Sequence, residues 1–360
     1  MQKKIILNGR FLTRPITGVQ RYAYELFAQF NQLLDEPAYR DLELTCLVPP
    51  ETATLPAWER LSIRRAGRNH DNLWEQIDLP WLAGGEFLFS PANTGPFSYA
   101  NQALTWHDAA VFAVPEAYSR AFRAKYWVIF TSLARRARLL LTDSRFSQRE
   151  LARYLGLPLE RFQVILLGGD HLLRVEPDPT VLTRLGLTQG GYFLTVASQS
   201  RHKNFAAVIQ AARRLPECEF VAVGGSFSQV FQADEPLQLP SNLRLPGYLT
   251  DAEIKALYEH ARAYLFPSRY EGFGLPVLEA MQSACPVICS SAASLPEVAG
   301  EAALYFDPGD TDSLVTVLQR FLSDPTLRLQ LQSRGRQQAE SFSWEKTARQ
   351  TLDTLRSNFA

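Results

Sequence analysis

Apolar positions along this chain follow two alternating spacings. Short unbroken apolar runs, such as 5–7 and 139–142, are typical of strands that are buried on both faces of a sheet. Between such runs, longer segments such as 19–30 place apolar residues three and four positions apart, which predicts helices. The alternation of strand and helix favours open parallel sheets that helices cover on both faces.

The predicted strands fall into two series, which indicates two domains. The first series is 5–7, 43–48, 86–89, 103–106 and 139–142, and the second is 192–196, 219–223, 243–245, 263–266 and 286–288. A stretch rich in proline and charge, 174–179, separates the series, and 360 residues are too many for one ordinary core. We therefore predict an α/β protein of two Rossmann-like domains, 1–172 and 173–343, whose parallel sheets face a central cleft. Ligands are expected outside the carboxyl ends of the strands.

The segment 269–281 carries the strongest chemical signal in the sequence. It follows the predicted strand 263–266, contains two glycines and leads into a helix for which Pro276 suits the first position. Free backbone N–H groups in such a loop, together with the positive end of the helix dipole, favour an anion. The residues expected to bind a diphosphate in this way are Gly272, Phe273, Gly274 and Leu275.

Two carboxylates bracket this loop. Glu279 is expected in the first turn of the helix, where it can accept two hydrogen bonds from a vicinal diol such as a ribose. Glu271, in the loop itself, is expected to reach the hydroxyls of a sugar beyond the phosphates. The segment therefore predicts a site for a nucleotide diphosphate-sugar, held by backbone amides and by a carboxylate at each end.

Composition narrows the possible partners. The 37 Lys and Arg residues balance 37 Asp and Glu residues, which argues against a nucleic-acid partner. The four cysteines have neither metal-ligand nor disulfide spacing, and no convincing carboxylate motif for a metal occurs. The chain begins without the apolar region of a signal peptide, and no apolar run approaches the roughly 20 residues that span a bilayer. We therefore expect a cytoplasmic protein that is at most peripheral to a membrane and has no metal site.

The segment 269–281, together with 18–22 and 342–345, resembles the retaining glycosyltransferases of family 4, which have the GT-B fold. The resemblance covers nearly the whole chain and is strongest to mannosyltransferase-type enzymes that build bacterial surface polysaccharides. It implies a retaining, metal-independent hexosyltransferase that needs no cofactor, because the nucleotide diphosphate-sugar is a co-substrate. It also implies that residues 344–360 form a helix that crosses back to the first domain.

The resemblance favours mannose from GDP-mannose as the donor and a saccharide or lipid-linked saccharide as the acceptor. It also implies that the first domain, 1–172, binds the acceptor and that the second, 173–343, binds the nucleotide-sugar. UDP- and dTDP-sugars stay open as donors, because base and sugar contacts in such enzymes come largely from loop backbone. A sugar-nucleotide epimerase of the same fold is the alternative class of protein. It would need acid and base residues for proton or elimination chemistry, and no extra carboxylate–histidine group of that kind is evident.

Cations that could neutralise the leaving diphosphate are expected after the predicted strand 192–196. Lys203 matches a lysine of the family, and a fixed ammonium there would meet the charge that develops on the phosphate. Ser198 stands where the family usually has a second such residue after a glycine. Arg201 is therefore the candidate for the second cation, and all three residues are expected at the donor site.

His107 follows the predicted strand 103–106, and the family has a His-Asp pair at this place. By that resemblance His107 lies near the donor sugar and the reaction centre. A general base is not expected, because such enzymes lack a well-placed nucleophile and the leaving phosphate is inferred to take the acceptor proton. Catalysis then rests on positioning and electrostatics. The predicted catalytic residues are His107, Lys203 and Glu271.

Three further residues are expected to contact the donor. Gly18 either lets a ligand approach the backbone closely or only begins the first helix. Tyr248 and Leu249 follow the predicted strand 243–245, where the nucleobase docks on backbone groups in the family.

The segment 118–138 has a composition that suits two roles. It contains six basic residues and interleaved aromatic residues but no acidic residue. Such a helix either packs its apolar face on the sheet or lies on an anionic membrane. Lipid-linked acceptors in related pathways give the second possibility additional weight.

Overall fold

The structure is a computed structural model that describes residues 2–196, 200–225 and 239–359. The chain forms two compact units. The first consists of Met1–Ala113, Tyr118–Leu167 and Trp344–Ala360, and the second consists of Val114–Ala117 and Gly168–Ser343.

Each unit is built on a parallel sheet. The strands of the first are β1 (Lys3–Asn8), β2 (Leu42–Val48), β3 (Ser62–Arg65), β4 (Phe87–Ser90), β5 (Gln102–Thr105), β6 (Leu139–Thr142) and β7 (Phe162–Val164). Those of the second are β8 (Tyr192–Val196), β9 (Glu219–Val223), β10 (Leu243–Gly247), β11 (Ala263–Phe266), β12 (Val287–Ser290) and β13 (Ala303–Phe306). Among the described residues, the strand orders are β3-β2-β1-β4-β5-β6-β7 and β10-β9-β8-β11-β12-β13. Neighbouring strands are parallel throughout.

Helices connect these strands. They are α1 (Gly18–Leu33), α2 (Asp71–Leu73), α3 (Leu79–Ala83), α4 (Ala110–Ala113), α5 (Arg120–Arg136), α6 (Arg145–Leu155), α7 (Thr180–Leu185), α8 (Phe205–Arg214), α9 (Asp251–His260), α10 (Leu275–Gln282), α11 (Leu295–Ala299), α12 (Thr311–Ser323), α13 (Pro325–Ala339) and α14 (Trp344–Ser357). A π-helical turn, Trp74–Asp78, joins α2 to α3.

Both sheets are doubly wound in the same way. From β1 the chain adds strands on one side and then returns to add β4 and its successors on the other side. The second sheet repeats this pattern, with β8 and β11 in the corresponding places. Doubly wound sheets bind ligands at the carboxyl ends of the strands where the order reverses. We call these two places the β1/β4 and β8/β11 switch points.

The ten strands predicted from the sequence are all present, with ends that differ by no more than two residues, and the α/β prediction is confirmed. Three strands were missed, namely β3, β7 and β13. Each of the three lies at an edge of its sheet. Edge strands are short and need no continuous apolar run, because one of their sides has no neighbouring strand.

The basic helix α5 packs one face on the first sheet. Its residues Ile129, Phe130 and Leu133 are buried, and the Phe130 ring stacks on Trp106 with centroids 4.4 Å apart. The opposite face leaves Trp127 and Val128 exposed. The packing role expected for this segment is therefore present, and an exposed apolar and basic face exists beside it.

The last helix, α14, belongs to the first unit. Trp344 is fully buried, and its ring lies 6.2 Å from that of Tyr22 on α1. Two ion pairs fix its outer side, one from Arg349 to Glu36 and one from Arg356 to Asp41 at 3.0 Å. The first unit is thus completed by residues from the end of the chain.

Candidate active site

A lysine–glutamate pair lies at the β8/β11 switch point. Lys203 ends the 3-10 turn that follows β8, and Glu271 lies in the loop after β11, so the adjacency of these strands brings the two side chains together. Lys203 Nζ donates to both carboxylate oxygens of Glu271, at 2.7 and 2.9 Å. The backbone N–H of Arg269 also donates to the carbonyl of His202 at 2.7 Å, which ties the two loops together.

The glycine loop between Glu271 and α10 contains one backbone position that strongly favours glycine. Gly274 has φ +104° and precedes the first helical residue, and a Cβ atom there would lie 2.6 Å from Leu295 Cδ2. The buried Ser294 hydroxyl lies 3.0 Å from the carbonyl oxygen of Glu271 and 2.8 Å from that of Phe273, so it donates within the loop. The loop therefore leads directly into the N-terminus of α10, where helical N–H groups lack intrahelical partners.

The position of Glu279 differs from the prediction. Because the left-handed Gly274 precedes it, α10 begins at Leu275, so Pro276 is its second residue. Glu279 is consequently the fifth residue, and the expectation that it lies in the first helical turn was wrong.

Two side chains that the sequence did not single out hold the Glu279 carboxylate. The Tyr258 hydroxyl donates to Oε2 at 3.2 Å, and His171 Nε2 lies 3.3 Å from Oε1. Burial raises the pKa of Tyr258 well above its usual range, so this hydroxyl keeps its proton and acts as a donor. Tyr258 comes from α9, and His171 lies just before the boundary that the sequence predicted between the two domains. No local pattern signals either contact.

The other predicted donor residues of the second unit lie at neighbouring loops. Gly247 ends β10 with φ +82°, after which Tyr248 is 77% exposed and Leu249 is buried. Arg201 is exposed at the start of the 3-10 turn that carries Lys203. Ser198 lies outside the described residues.

His107 follows β5 in the first unit and is buried. Its Nδ1 lies 2.6 Å from Asp143 Oδ2, and its Nε2 lies 2.9 Å from the carbonyl oxygen of Pro91. A carbonyl only accepts, so Nε2 carries a proton. Burial alone would lower the pKa of His107, but the charge of Asp143 and the hydrogen bonds to Asp143 and Pro91 together outweigh burial and raise it. His107 thus holds the loop after β4, and either ring nitrogen could reach a ligand only by giving up one of these bonds.

Gly18 is the first residue of α1 and is exposed. A Cβ atom at this position would have no heavy atom within 4 Å. Packing within the chain therefore does not require glycine here. The site residues fall into two sets, Gly18 and His107 in the first unit and the Lys203–Glu271 group in the second.

Solved structures share the fold of this chain. HepE of Anabaena, in complex with UDP and glucose, matches with a TM-score of 0.77 and 17% identity over 99% of this chain and 100% of that chain. Sucrose-phosphate synthase from Thermosynechococcus elongatus matches with a TM-score of 0.76 and 19% identity, covering 99% of both chains. These likenesses define the class of the fold, which is that of the GT-B glycosyltransferases.

Sequence comparison identifies the family. Residues 185–338 match the family described as Glycosyl transferases group 1. The O-antigen chain mannosyltransferase B of Escherichia coli is 33% identical over 98% of this chain and 99% of its own length. The chain belongs to the group 1 glycosyl transferases, which confirms the family resemblance seen in its motifs.

Neither a metal-binding group nor a membrane-spanning helix occurs among the residues that the structure describes. Within residues 2–196, 200–225 and 239–359, no three His, Cys, Asp or Glu side chains are grouped so that they could hold a metal ion. The helices in the same ranges include none that is both long and apolar enough to cross a bilayer.

Proposed function

We propose that this protein transfers mannose from GDP-mannose to a saccharide acceptor of a bacterial surface polysaccharide, with retention of configuration and without a metal. The observation that carries the proposal is the Lys203–Glu271 pair beside the glycine loop at the β8/β11 switch point. The identity of the sugar rests on the mannosyltransferase that is 33% identical along the whole chain.

In this proposal, each group at the second switch point binds one part of the donor. The N-terminus of α10 and the Lys203 ammonium bind the diphosphate, and the Glu279 carboxylate accepts hydrogen bonds from the ribose diol. Binding of the diphosphate draws Lys203 away from Glu271, so the freed Glu271 carboxylate accepts from hydroxyls of the mannose. Tyr258 and His171 keep Glu279 in place.

The chemistry proposed is displacement at the anomeric carbon on one face of the sugar. The acceptor hydroxyl oxygen bonds to that carbon, the bond from the carbon to the β-phosphate oxygen breaks, and GDP leaves with the electron pair and takes the hydroxyl proton. In the donor complex the Glu271 carboxylate is occupied by hydroxyls of the mannose, so it forms no bond to the anomeric carbon. The protein contributes orientation and charge stabilisation.

The exposed surface of the first unit supports a peripheral contact with an anionic membrane on the cytoplasmic side. Leu73, Ile77 and Trp81 recur four residues apart along 71–83 and are each more than half exposed. The exposed face of α5 adds aromatic and basic side chains. Co-sedimentation with vesicles that contain anionic lipid, but not with neutral vesicles, is the expected result. Equal absence of binding to both would refute this contact.

The first test of the function is thermal stabilisation of the purified protein by GDP, UDP, dTDP and ADP in the presence of a chelator. A ligand at a hundred times its Kd adds about 2.7 kcal/mol to the free energy of unfolding. GDP alone should stabilise the parent and should stabilise Glu279→Gln much less, with Glu340→Gln, an exposed glutamate outside the site, as the control. Stabilisation by UDP or dTDP instead would refute the donor. No response to any nucleotide would refute the nucleotide site.

A further inference from the structure

The first unit has an unassigned cavity at its own switch point. This cavity, which we call the polar cavity, has a volume of about 500 Å³ and lies where the loops after β1 and β4 meet. Arg10 comes from the first of these loops and Thr94 from the second, while Glu75 comes from the π-helical turn. All the residues that line it belong to the first unit. Its size is within the range of small-molecule sites.

A buried carboxylate with one unpartnered oxygen lines the polar cavity. Glu75 is only 2% exposed. Its Oε1 accepts three hydrogen bonds, from Asn8 at 2.9 Å, from Arg10 Nε at 3.0 Å and from Thr94 at 3.0 Å. In the part of the chain that the structure describes, no residue donates to Glu75 Oε2. A carboxylate oxygen can accept hydrogen bonds, so a ligand that brings a hydrogen-bond donor into the polar cavity fits this position.

The backbone around the cavity is held in uncommon conformations. Glu75 lies in a π-helical turn, a geometry that is frequent at functional sites. Asp71 and Asn93 have φ of +47° and +62° although neither is glycine. Two hydrogen bonds of 3.0 Å hold Asn93 in this conformation. Its side-chain oxygen accepts from the backbone N–H of His107, and its backbone carbonyl accepts from the indole N–H of Trp106. Such strain persists where surrounding structure imposes it, and it clusters at binding sites.

A second, apolar space adjoins the polar cavity. This apolar slot has a volume of about 460 Å³ and shares Glu75, Thr94 and Lys125 with the polar cavity. Its other walls include Phe97 and Val128. The combined space therefore suits a ligand with a hydroxyl-rich ring and an apolar neighbouring group.

The charges at the inner wall favour a neutral ligand over an anion. The Arg10 guanidinium is paired with Glu75 at 3.0 Å and with Asp71 at 2.9 Å, and Arg14 is paired with Asp71 at 2.6 Å. The remaining cation, Lys125, is exposed at the rim. An anion would approach the free oxygen of a carboxylate, whereas a sugar hydroxyl would donate to it.

We propose that the polar cavity is the acceptor site and that Glu75 Oε2 accepts a hydrogen bond from a hydroxyl of an uncharged terminal hexose, with the apolar slot receiving the group attached to it. This inference rests on the proposed transfer function and names the residue that selects the acceptor. Glu75 is a specificity residue here and takes no part in the bond changes.

The experiment compares the parent protein with Glu75→Gln and Lys125→Trp. The glutamine can keep the contacts at Oε1 but presents an N–H group in place of Oε2. The tryptophan obstructs both spaces from an exposed position and removes no buried side chain. Arg135→Trp, at an exposed position of α5 outside both spaces, is the matched control. The probe is methyl α-D-mannopyranoside, measured as KM in transfer from GDP-mannose and as Kd by NMR titration without nucleotide.

Both variants should raise the KM and Kd of the mannoside by about tenfold or more, since a hydrogen bond to a charged group is lost or blocked. The Kd of GDP should stay at the parent value in both, and Arg135→Trp should match the parent throughout. If Glu75→Gln fails to fold, the result for Lys125→Trp alone tests the inference. The inference is overturned if the mannoside binds both variants as it binds the parent, if the parent does not bind it, or if mannoside 6-phosphate binds better. Failure of GDP to bind the parent would instead overturn the proposed function.

Discussion

Replacing Glu271 by glutamine should tighten GDP binding while it slows transfer. Both oxygens of Glu271 hold the Lys203 ammonium, at 2.7 and 2.9 Å. A diphosphate that binds Lys203 must therefore displace a carboxylate that is already in contact with it. A glutamine carries no charge and competes less, although it can still accept one hydrogen bond from the lysine.

The size of the effect follows from how far the pair is removed from water. The side chains of Lys203 and Glu271 are 21% and 11% exposed, so the pair lies between a surface and a fully buried one. We take its strength as about 1–2 kcal/mol. Because glutamine keeps part of the interaction with Lys203, the substitution is expected to raise GDP affinity by about two- to tenfold. Lys203→Met should lower the affinity for GDP by about ten- to a hundredfold, because a charge-assisted hydrogen bond to the phosphate is lost.

Isothermal titration with GDP and chelator, combined with kcat for transfer, measures these changes. Glu271→Gln should lower kcat by about tenfold or more, since the contact to the sugar hydroxyls weakens. In the double variant, GDP affinity should equal that of Lys203→Met alone, because glutamine can gain nothing when the lysine is absent. If Glu271→Gln lowers the affinity for GDP as much as Lys203→Met does, Glu271 does not compete with the diphosphate for Lys203, and the proposed exchange of partners is refuted.

Two further substitutions test the backbone and the buried histidine. Gly274→Ala should lower the free energy of unfolding by roughly 2–4 kcal/mol, because the new Cβ atom meets Leu295 and the positive φ is unfavourable for alanine. The control is Gly156→Ala, which has φ +63° and open space around it, so only the cost of the positive φ is expected there. Equal losses of stability in chemical denaturation would contradict the contact with Leu295. The pKa of His107 is raised above its unfolded value of about 6.5, so its stabilisation is complete below that pH and is lost as pH rises through the folded pKa. His107→Gln should remove this part of the fall in stability toward alkaline pH, and parallel pH profiles of the two proteins would refute it.

The alternating pattern was sufficient to predict the two sheets and the strand, glycine loop and helix of 263–282, because these elements depend on local sequence. The predicted strands before Lys203 and before Glu271 are each short apolar runs, and both are followed by polar loops. Once the sheet places β8 beside β11, the two loops meet. The start of α10 was misjudged by one residue, since the left-handed state of Gly274 was not visible in the sequence.

The polar cavity could not be predicted, because its key contacts join distant parts of the chain. Glu75 is bound by Asn8, Arg10 and Thr94, and none of these is near it in sequence. A π-helical turn has no established sequence pattern, and the apolar residues that recur along 71–83, namely Leu73, Ile77 and Trp81, lie on an exposed face and do not point to Glu75 as a site residue. The contact between His171 and Glu279 could not be predicted either, because these residues are more than a hundred positions apart.

Helix α14 affects the order in which the protein can acquire its structure during synthesis. The first unit needs Trp344 and the rest of α14 to cover α1, yet the whole segment Gly168–Ser343 is translated in between. At about 5–20 residues per second, that segment takes the ribosome roughly 10 to 35 seconds. During this interval the surface around Tyr22 has no covering helix, while the strands of the second unit become complete one after another. The unit that is synthesised first is therefore the one that finishes folding last.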